Sequence, residues 1–304
     1  MSIVERLGRV IVPHVTPFDA DGGIDEAALE RLVGYLIERR MADSLFVGGT
    51  TGEFHVLTLD ERARLLARVK ALAGDRVPLV AGTGAAATRD AVVLTQEAER
   101  LGYDAVTVIT PYYSRPTQDE LFHYFAAVAR ATTLPVMLYN IPLFTGVNLA
   151  PETLERLAAF PNIVAVKDQA SAHPVQASEY LRAAPRLHVY CGDDAMILQV
   201  LAQGGAGAVS GGAHVVGDLI RAMIQRFLAG QVAAATAGHL RLLPFHRTLT
   251  RHRTNPIPVL REAIRLATGI DVGPPRLPMR RPSPEEVAAV REALGALGRL
   301  ASGE

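Results

Sequence analysis

A single cysteine, Cys191, stands in this chain of 304 residues, so no intramolecular disulfide forms and small stapled folds are excluded. Excess charge is missing too. Thirty-one Lys and Arg offset thirty-one Asp and Glu, which leaves no basic field to draw in phosphate backbones or anionic lipid headgroups. Nucleic acid and membrane surface are therefore not expected partners. No window holds the roughly 18 consecutive apolar residues that a membrane span needs. The opening segment, Met1 to Arg9, has an early acid and no apolar core, so it is not read as a secretory leader. A reducing, cytoplasmic setting is expected. What is present is ordinary for a folded enzyme: 49% of positions are apolar and 20% charged. At this length roughly three quarters of the extended-chain surface can be buried.

Lysine is the scarcest of the charged residues. Only Lys70 and Lys167 occur, and the other 29 basic residues are arginine. Lys70 lies in a stretch whose apolar positions repeat at helical spacing, Leu59 to Lys70, and belongs to a solvated helix face. Lys167 instead follows Ile163-Val164-Ala165-Val166, a run typical of a strand buried on both faces, where an ammonium is costly. Its plain structural reading is a strand-end lysine that snorkels outward or pairs with Asp168. Arginine would serve that purpose as well or better, being always charged and forked. What arginine cannot readily do is lose a proton and attack a carbonyl.

The chain alternates apolar, β-rich runs with amphipathic helical stretches, joined by Gly, Pro, Asn and Asp. Strands are expected at 9–16, 44–50, 78–83, 105–110, 135–140, 163–168, 188–192 and 207–211. Helical patterns follow them, among them 58–73, 88–101, 118–131, 151–159 and 194–203. Repeated βα units imply a parallel sheet, and eight of them close into an α/β (β/α)8 TIM barrel. An open doubly wound sheet would carry a Gly-x-Gly-x-x-Gly turn, but Gly82-Thr83-Gly84 is followed by Ala87 in the third place. Beyond about residue 215 the strands stop. Helices are expected at 216–228, 231–248, 258–268 and 284–300, which divides the chain into a barrel at 1–228 and a C-terminal helical extension at 229–304 packed on it.

Barrel chemistry sits at the C-terminal ends of the strands. Those ends carry Gly48-Gly49-Thr50-Thr51-Gly52-Glu53, Thr110-Pro111-Tyr112-Tyr113, Tyr139-Asn140-Ile141-Pro142, Lys167-Asp168 and Cys191-Gly192-Asp193-Asp194. The glycine-rich loop can bring amides and two hydroxyls close to a carboxylate, although it also suits an ordinary strand-to-helix turn. Burial of Lys167 disfavours its charged form, and a neutral amine is a nucleophile for a ketone. Tyr139 one strand away can carry the protons that carbinolamine formation and dehydration need, with Thr50 as relay. A packing role is the alternative for that tyrosine. His14 and His214 end strands one and eight without a third ligand, so no metal is expected, and no Gly-x-Ser-x-Gly elbow occurs.

These residues resemble the dihydrodipicolinate synthase and N-acetylneuraminate lyase family of class I Schiff-base aldolases. The likeness runs over nearly the whole chain. It rests on Gly49-Thr50-Thr51-Gly52-Glu53, Pro111-Tyr112-Tyr113 with Arg115-Pro116, Tyr139-Asn140-Ile141-Pro142 with Thr145-Gly146, Val166-Lys167 and Gly192-Asp193-Asp194, all in the family's order. The resemblance implies that Lys167 forms the Schiff base with pyruvate or a similar 2-oxo acid, and that Tyr139 is the acid/base and Thr50 the relay. It implies that Tyr113 completes a neighbouring subunit's site in a homotetramer built as a dimer of dimers. Thr51 and Val209 would hold the substrate carboxyl end, with Gly49, Phe144 and Asp193 as further substrate-binding positions. No cofactor is implied.

In lysine-pathway synthases of the family an arginine two residues past the proline binds the second substrate's carboxylate; here that position is Phe144, which has no forked donors. Leu59, Arg62 and Ala86 stand where polar ligands of the feedback lysine would be. The segment Tyr139 to Gly146 looks more like the sialate-lyase and 2-keto-3-deoxy sugar acid aldolase branch. Aldol cleavage of a 2-keto-3-deoxy sugar acid or related 2-oxo acid is therefore the leading expectation. Condensation of pyruvate with aspartate semialdehyde, with another cation compensating for Phe144, is the alternative. A non-catalytic barrel that binds a 2-oxo acid is a third.

Overall fold

The structure, a computed structural model, describes residues 2–169 and 173–301. Eight strands, β1 (Val10–Pro13), β2 (Ser44–Val47), β3 (Leu79–Gly82), β4 (Ala105–Ile109), β5 (Val136–Asn140), β6 (Ile163–Asp168), β7 (His188–Cys191) and β8 (Gly207–Val209), form a closed barrel in sequence order. Every neighbouring pair is parallel, and β8 returns to β1 through Val10↔Ala208 and Ile11↔Val209. Strand β2 stops at Val47, short of Thr50, because Gly48 takes φ +73° and turns the chain out of the sheet.

Helices fill the crossovers. In the first half they are α1 (Ile3–Leu7), α2 (Glu26–Glu38), α3 (Leu59–Ala73), α4 (Thr88–Arg100) and α5 (Gln118–Arg130). After β5 come the short α6 (Pro142–Thr145) and α7 (Pro151–Leu157), then α8 (Gln176–Ala183), α9 (Ile197–Ala202) and α10 (Ala213–Leu228). The stretch expected to be helical from Asp194 opens as a tight 3-10 turn over Asp194–Met196, held by Asp193 Oδ1 accepting from the Ala195 amide. Helix starts are written locally: Thr58 with Glu61 and Thr117 with Glu120 form reciprocal capping boxes on α3 and α5. Each cap contributes on the order of 1 kcal/mol.

Alternation along the strands sorts the core into shells. Val12, Leu45, Val106, Leu138, Val166 and Val189 face outward into the layer shared with the helices. Ile11, Phe46, Val80, Ala105, Met137, Ala165, Tyr190 and Val209 fill the barrel interior, and Ile3 and Leu7 of α1 plug its lower end. Tyr190 satisfies its hydroxyl there by donating to the Gly8 carbonyl at 2.8 Å. Phe54, Ile109, Tyr139 and Ile141 form a third apolar group at the opposite, upper end.

Three helices, α11 (Val232–Thr250), α12 (Ile257–Thr268) and α13 (Pro284–Leu297), follow the barrel. Arg261 of α12 reaches back under the β2–α3 loop, where its Nη1 contacts Glu53 Oε1 at 2.8 Å and donates to the Thr16 carbonyl at 2.9 Å. The Arg276 amide donates to the other Glu53 oxygen at 3.1 Å, and its guanidinium forks onto Glu61 at 2.6 and 3.0 Å. The C-terminal segment thus grips the loop that carries Thr50 and Thr51.

Candidate active site

Lys167 is the inward residue two positions above Ala165 on β6, so alternation aims it up the barrel axis. Asp168, one residue on, faces the other way. It accepts from Asn140 Nδ2 at 2.9 Å and Gln176 Nε2 at 2.8 Å, and burial raises its carboxyl above the usual range against those two bonds. The Lys167–Asp168 pair considered from the sequence is therefore absent, because consecutive strand residues occupy opposite faces. Lys167 is 4% exposed, and among the described residues no carboxylate lies within ion-pair distance of it. Its Nζ lies 3.8 Å from the Tyr139 ring centroid and 5.8 Å from that of Phe46.

Register supplies the partner. Tyr139 of β5 is aligned with Lys167 of β6, as Met137 is with Ala165 one layer below. The Tyr139 hydroxyl and Thr50 Oγ1 are 3.3 Å apart, which joins the β2 loop to the same cluster. Space for the lysine is left by Gly192 at the top of β7: a Cβ there would meet Lys167 Cε at 2.8 Å and the Asp168 carbonyl at 3.1 Å.

Above Lys167 opens a cavity of about 770 Å³. Thr50, Thr51, Tyr139, Phe144, Lys167, Asp193 and Val209 all line it, so seven of the residues singled out from the sequence converge on one space. Gly49 does not reach it. That residue lies behind Thr50 against a void of about 10 Å³ bounded by Phe46, Gly82, Ile109 and Tyr139. Tyr113 is also outside: its side chain is 97% exposed and its backbone sits at φ +77°. Its neighbour Tyr112 turns inward instead and meets Phe54 edge-on, with ring centroids 6.0 Å apart.

Sequence reasoning passed over part of the lining. The end of α11 and the segment after it contribute His246, Arg247, Arg251, His252 and Arg253. His246 is buried beside the Asp193–Asp194 turn. Desolvation lowers its pKa, and the two aspartates oppose that shift. The signal was available as a basic run, His246 to Arg253, at the close of a helical pattern. A run of that kind reads as a solvated face until the fold brings it over the barrel mouth. His14 and His214 are buried and do not line the cavity. His214 Nε2 accepts from the Val15 amide at 3.2 Å while its Nδ1 faces the Gly211 carbonyl at 2.7 Å, and burial pushes its pKa down to about 3.

A model of a known family, described as the dihydrodipicolinate synthetase family, matches residues 6–297. The 4-hydroxy-tetrahydrodipicolinate synthase of Moorella thermoacetica is 44% identical over 294 residues, covering 96% of this chain and 99% of its own. The enzyme of the same name from Thermosynechococcus vestitus is 44% identical over 298 residues, covering 97% and 99%. Among solved structures, the synthase of Cyanidioschyzon merolae with lysine bound superposes with a TM-score of 0.91 at 39% identity, over 97% of this chain and 99% of that one. A structure described as the first monomeric dihydrodipicolinate synthase variant matches at 32% identity and a TM-score of 0.89, over 97% and 98%.

Proposed function

The chain belongs to the dihydrodipicolinate synthetase family, and from that premise we propose that Lys167 forms a covalent imine with pyruvate. The family consists of class I aldolases and synthases, so the chain is a lyase of the lysine-imine type. The non-catalytic barrel is set aside on that ground. The observation that carries the proposal is a buried lysine with no carboxylate partner among the described residues, lying over the ring of a tyrosine at the foot of a cavity.

The Nζ lone pair attacks the keto carbon of pyruvate, and the oxygen takes a proton to give a carbinolamine. Loss of that oxygen as water leaves the imine. Removal of a methyl proton then gives an enamine, whose carbon attacks an aldehyde. Water hydrolyses the resulting imine and frees Lys167. Tyr139 is the group placed to move these protons, and Thr50, 3.3 Å from its hydroxyl, ties it to the loop held by Glu53.

For the aldehyde, the relatives at 44% identity carry the name 4-hydroxy-tetrahydrodipicolinate synthase, so aspartate semialdehyde is the first reading. The sugar-acid aldolase expected from the sequence moves to second place. One observation keeps it there: Phe144, lining the cavity, has no donor for a second carboxylate. A homotetramer is proposed as well, with Tyr113 serving a neighbouring site, since its own side chain stands almost wholly outside. Among the described residues no helix is long and apolar enough to cross a membrane, and we read the protein as cytoplasmic.

Borohydride added with pyruvate should fix one pyruvyl mass on Lys167, and Lys70→Ala should retain that adduct while Lys167→Ala loses it. An unmodified wild-type protein would end the proposal. Assays with aspartate semialdehyde and with 2-keto-3-deoxy acids, read as pyruvate consumed or released, separate the two acceptor readings.

A further inference from the structure

Resting on the imine reading of Lys167, we infer that Arg247 and Arg251 bind the anionic group of the acceptor aldehyde. On the β5 side the cavity is lined by Ile141, Leu143 and Phe144, which are apolar and leave a carboxylate without a forked partner. Apart from Lys167, the basic part of the lining comes from the end of α11 and the segment leading to α12.

Besides the buried His246, four basic residues line that stretch, and two of them are already engaged. Arg253 forks onto Glu286 at 2.6 and 2.5 Å, and His252 lies 3.8 Å from Glu285. Arg247 and Arg251 have no carboxylate in ion-pair range among the described residues, and both line the cavity. The acids of the cavity do not neutralise them. Asp193 Oδ1 accepts from the Ala195 amide at 2.9 Å and Asp194 Oδ2 from the Gly212 amide at 2.7 Å, so each aspartate braces backbone.

The helix itself favours this arrangement. Arg247 lies in the last turn of α11 and Arg251 at its cap, where the negative end of the helix dipole stabilises cations without needing an acidic side chain beside them. Among the described residues nothing occupies their guanidinium forks, which leaves them for a ligand. A three-carbon keto acid on Lys167 leaves most of the 770 Å³ unfilled, enough for a second small reactant extending toward these arginines. The chemistry selects a short aldehyde that carries a carboxylate, because planar forked donors match carboxylate oxygens in pairs. The cationic role that Phe144 does not fill is thus assigned to another part of the chain.

The test uses the full-length enzyme with Arg247→Ala, Arg251→Ala, the double variant and the corresponding lysine variants. Aspartate semialdehyde serves as the anionic acceptor and glyceraldehyde as the neutral one. Loss of a charged hydrogen bond predicts a KM for aspartate semialdehyde raised about tenfold or more in the double variant. The KM for pyruvate, the borohydride-trapped mass on Lys167 and any glyceraldehyde rate should not change, and lysine should restore part of the loss. An unchanged KM for the anionic acceptor, with pyruvate trapping intact, overturns the inference and leaves the imine reading standing. Turnover of the neutral acceptor alone overturns it too. Failure to trap pyruvate in the wild type removes the imine reading and this inference with it.

Discussion

Arg261 and Lys167 are both shielded from water, at 3% and 4% exposure, yet the fold treats the two cations in opposite ways. Arg261 is saturated: Glu53 and the carbonyls of Thr16, Val272 and Gly273 surround its guanidinium. Lys167 has aromatic faces and, among the described residues, no acid within ion-pair distance. Burial tells against charge at Arg261, whose pKa falls to about 10. A guanidinium retains its proton, so it must be supplied with partners, and the result is a fixed strut. An amine can give its proton up, so leaving it unpartnered keeps it available to react. The difference separates a residue that builds the mouth from one suited to work in it.

Replacing each by a near-isosteric methionine breaks the comparison most sharply. Lys167→Met should abolish pyruvate trapping and turnover while thermal stability stays the same or rises. Arg261→Met removes the ion partner of the buried Glu53 carboxylate, leaving it only the Arg276 amide, and should cost about 3–5 kcal/mol in denaturant unfolding. If both variants lost the same stability, the two cations would not differ as described. Tyr139→Phe comes next, with kcat expected to fall about 10²–10⁴-fold and little change in unfolding midpoint, as read by steady-state kinetics.

Gly192→Ala has a smaller expected effect, because its added methyl pushes hardest on the far end of the Lys167 side chain, at 2.8 Å from Cε, and less on the Asp168 carbonyl at 3.1 Å. Misplacing the amine should lower kcat about 10–100-fold, with a near-native circular dichroism spectrum. The weakest effect is on pH. His214 is a third buried base, held neutral by burial, with a folded pKa of about 3 against an ordinary value near 6.5. The unfolded chain binds the proton more readily, so stability is fully present above about pH 6.5 and declines as pH falls toward 3. His214→Gln should flatten that decline in melting curves taken between pH 7 and pH 4.

The barrel was legible because its signals are local. Alternating apolar runs, the Thr58 and Thr117 caps and the prolines opening α7 and α12 each name an element within a few residues. The gathering of Lys167, Tyr139, Thr50 and Asp193 was legible for a related reason: once parallel strands close, their ends share one rim. Less readable was anything depending on distant chain. Glu53 looked like the tail of a glycine loop, and only the return of α12, 208 residues later, makes it the anchor of that loop. Arg247 and Arg251 belong to no motif, and only the packing of α11 brings them to the barrel mouth. Tyr112 and Tyr113 are adjacent, and no pattern in the sequence tells which one points inward; the φ of +77° at Tyr113 decides it.

The scarcity of lysine also bears on labelling. Lys70, with a side chain 26% exposed and Asp75 at 3.6 Å, is the one lysine that amine-directed dyes, cross-linkers or resins meet on the outside of the described fold. A general acylating reagent should therefore mark position 70, whereas a small keto acid that fits the barrel mouth should mark position 167. Shape, rather than abundance, would sort the two side-chain nitrogens, so an exterior lysine can carry a tether or fluorophore with the interior amine left untouched.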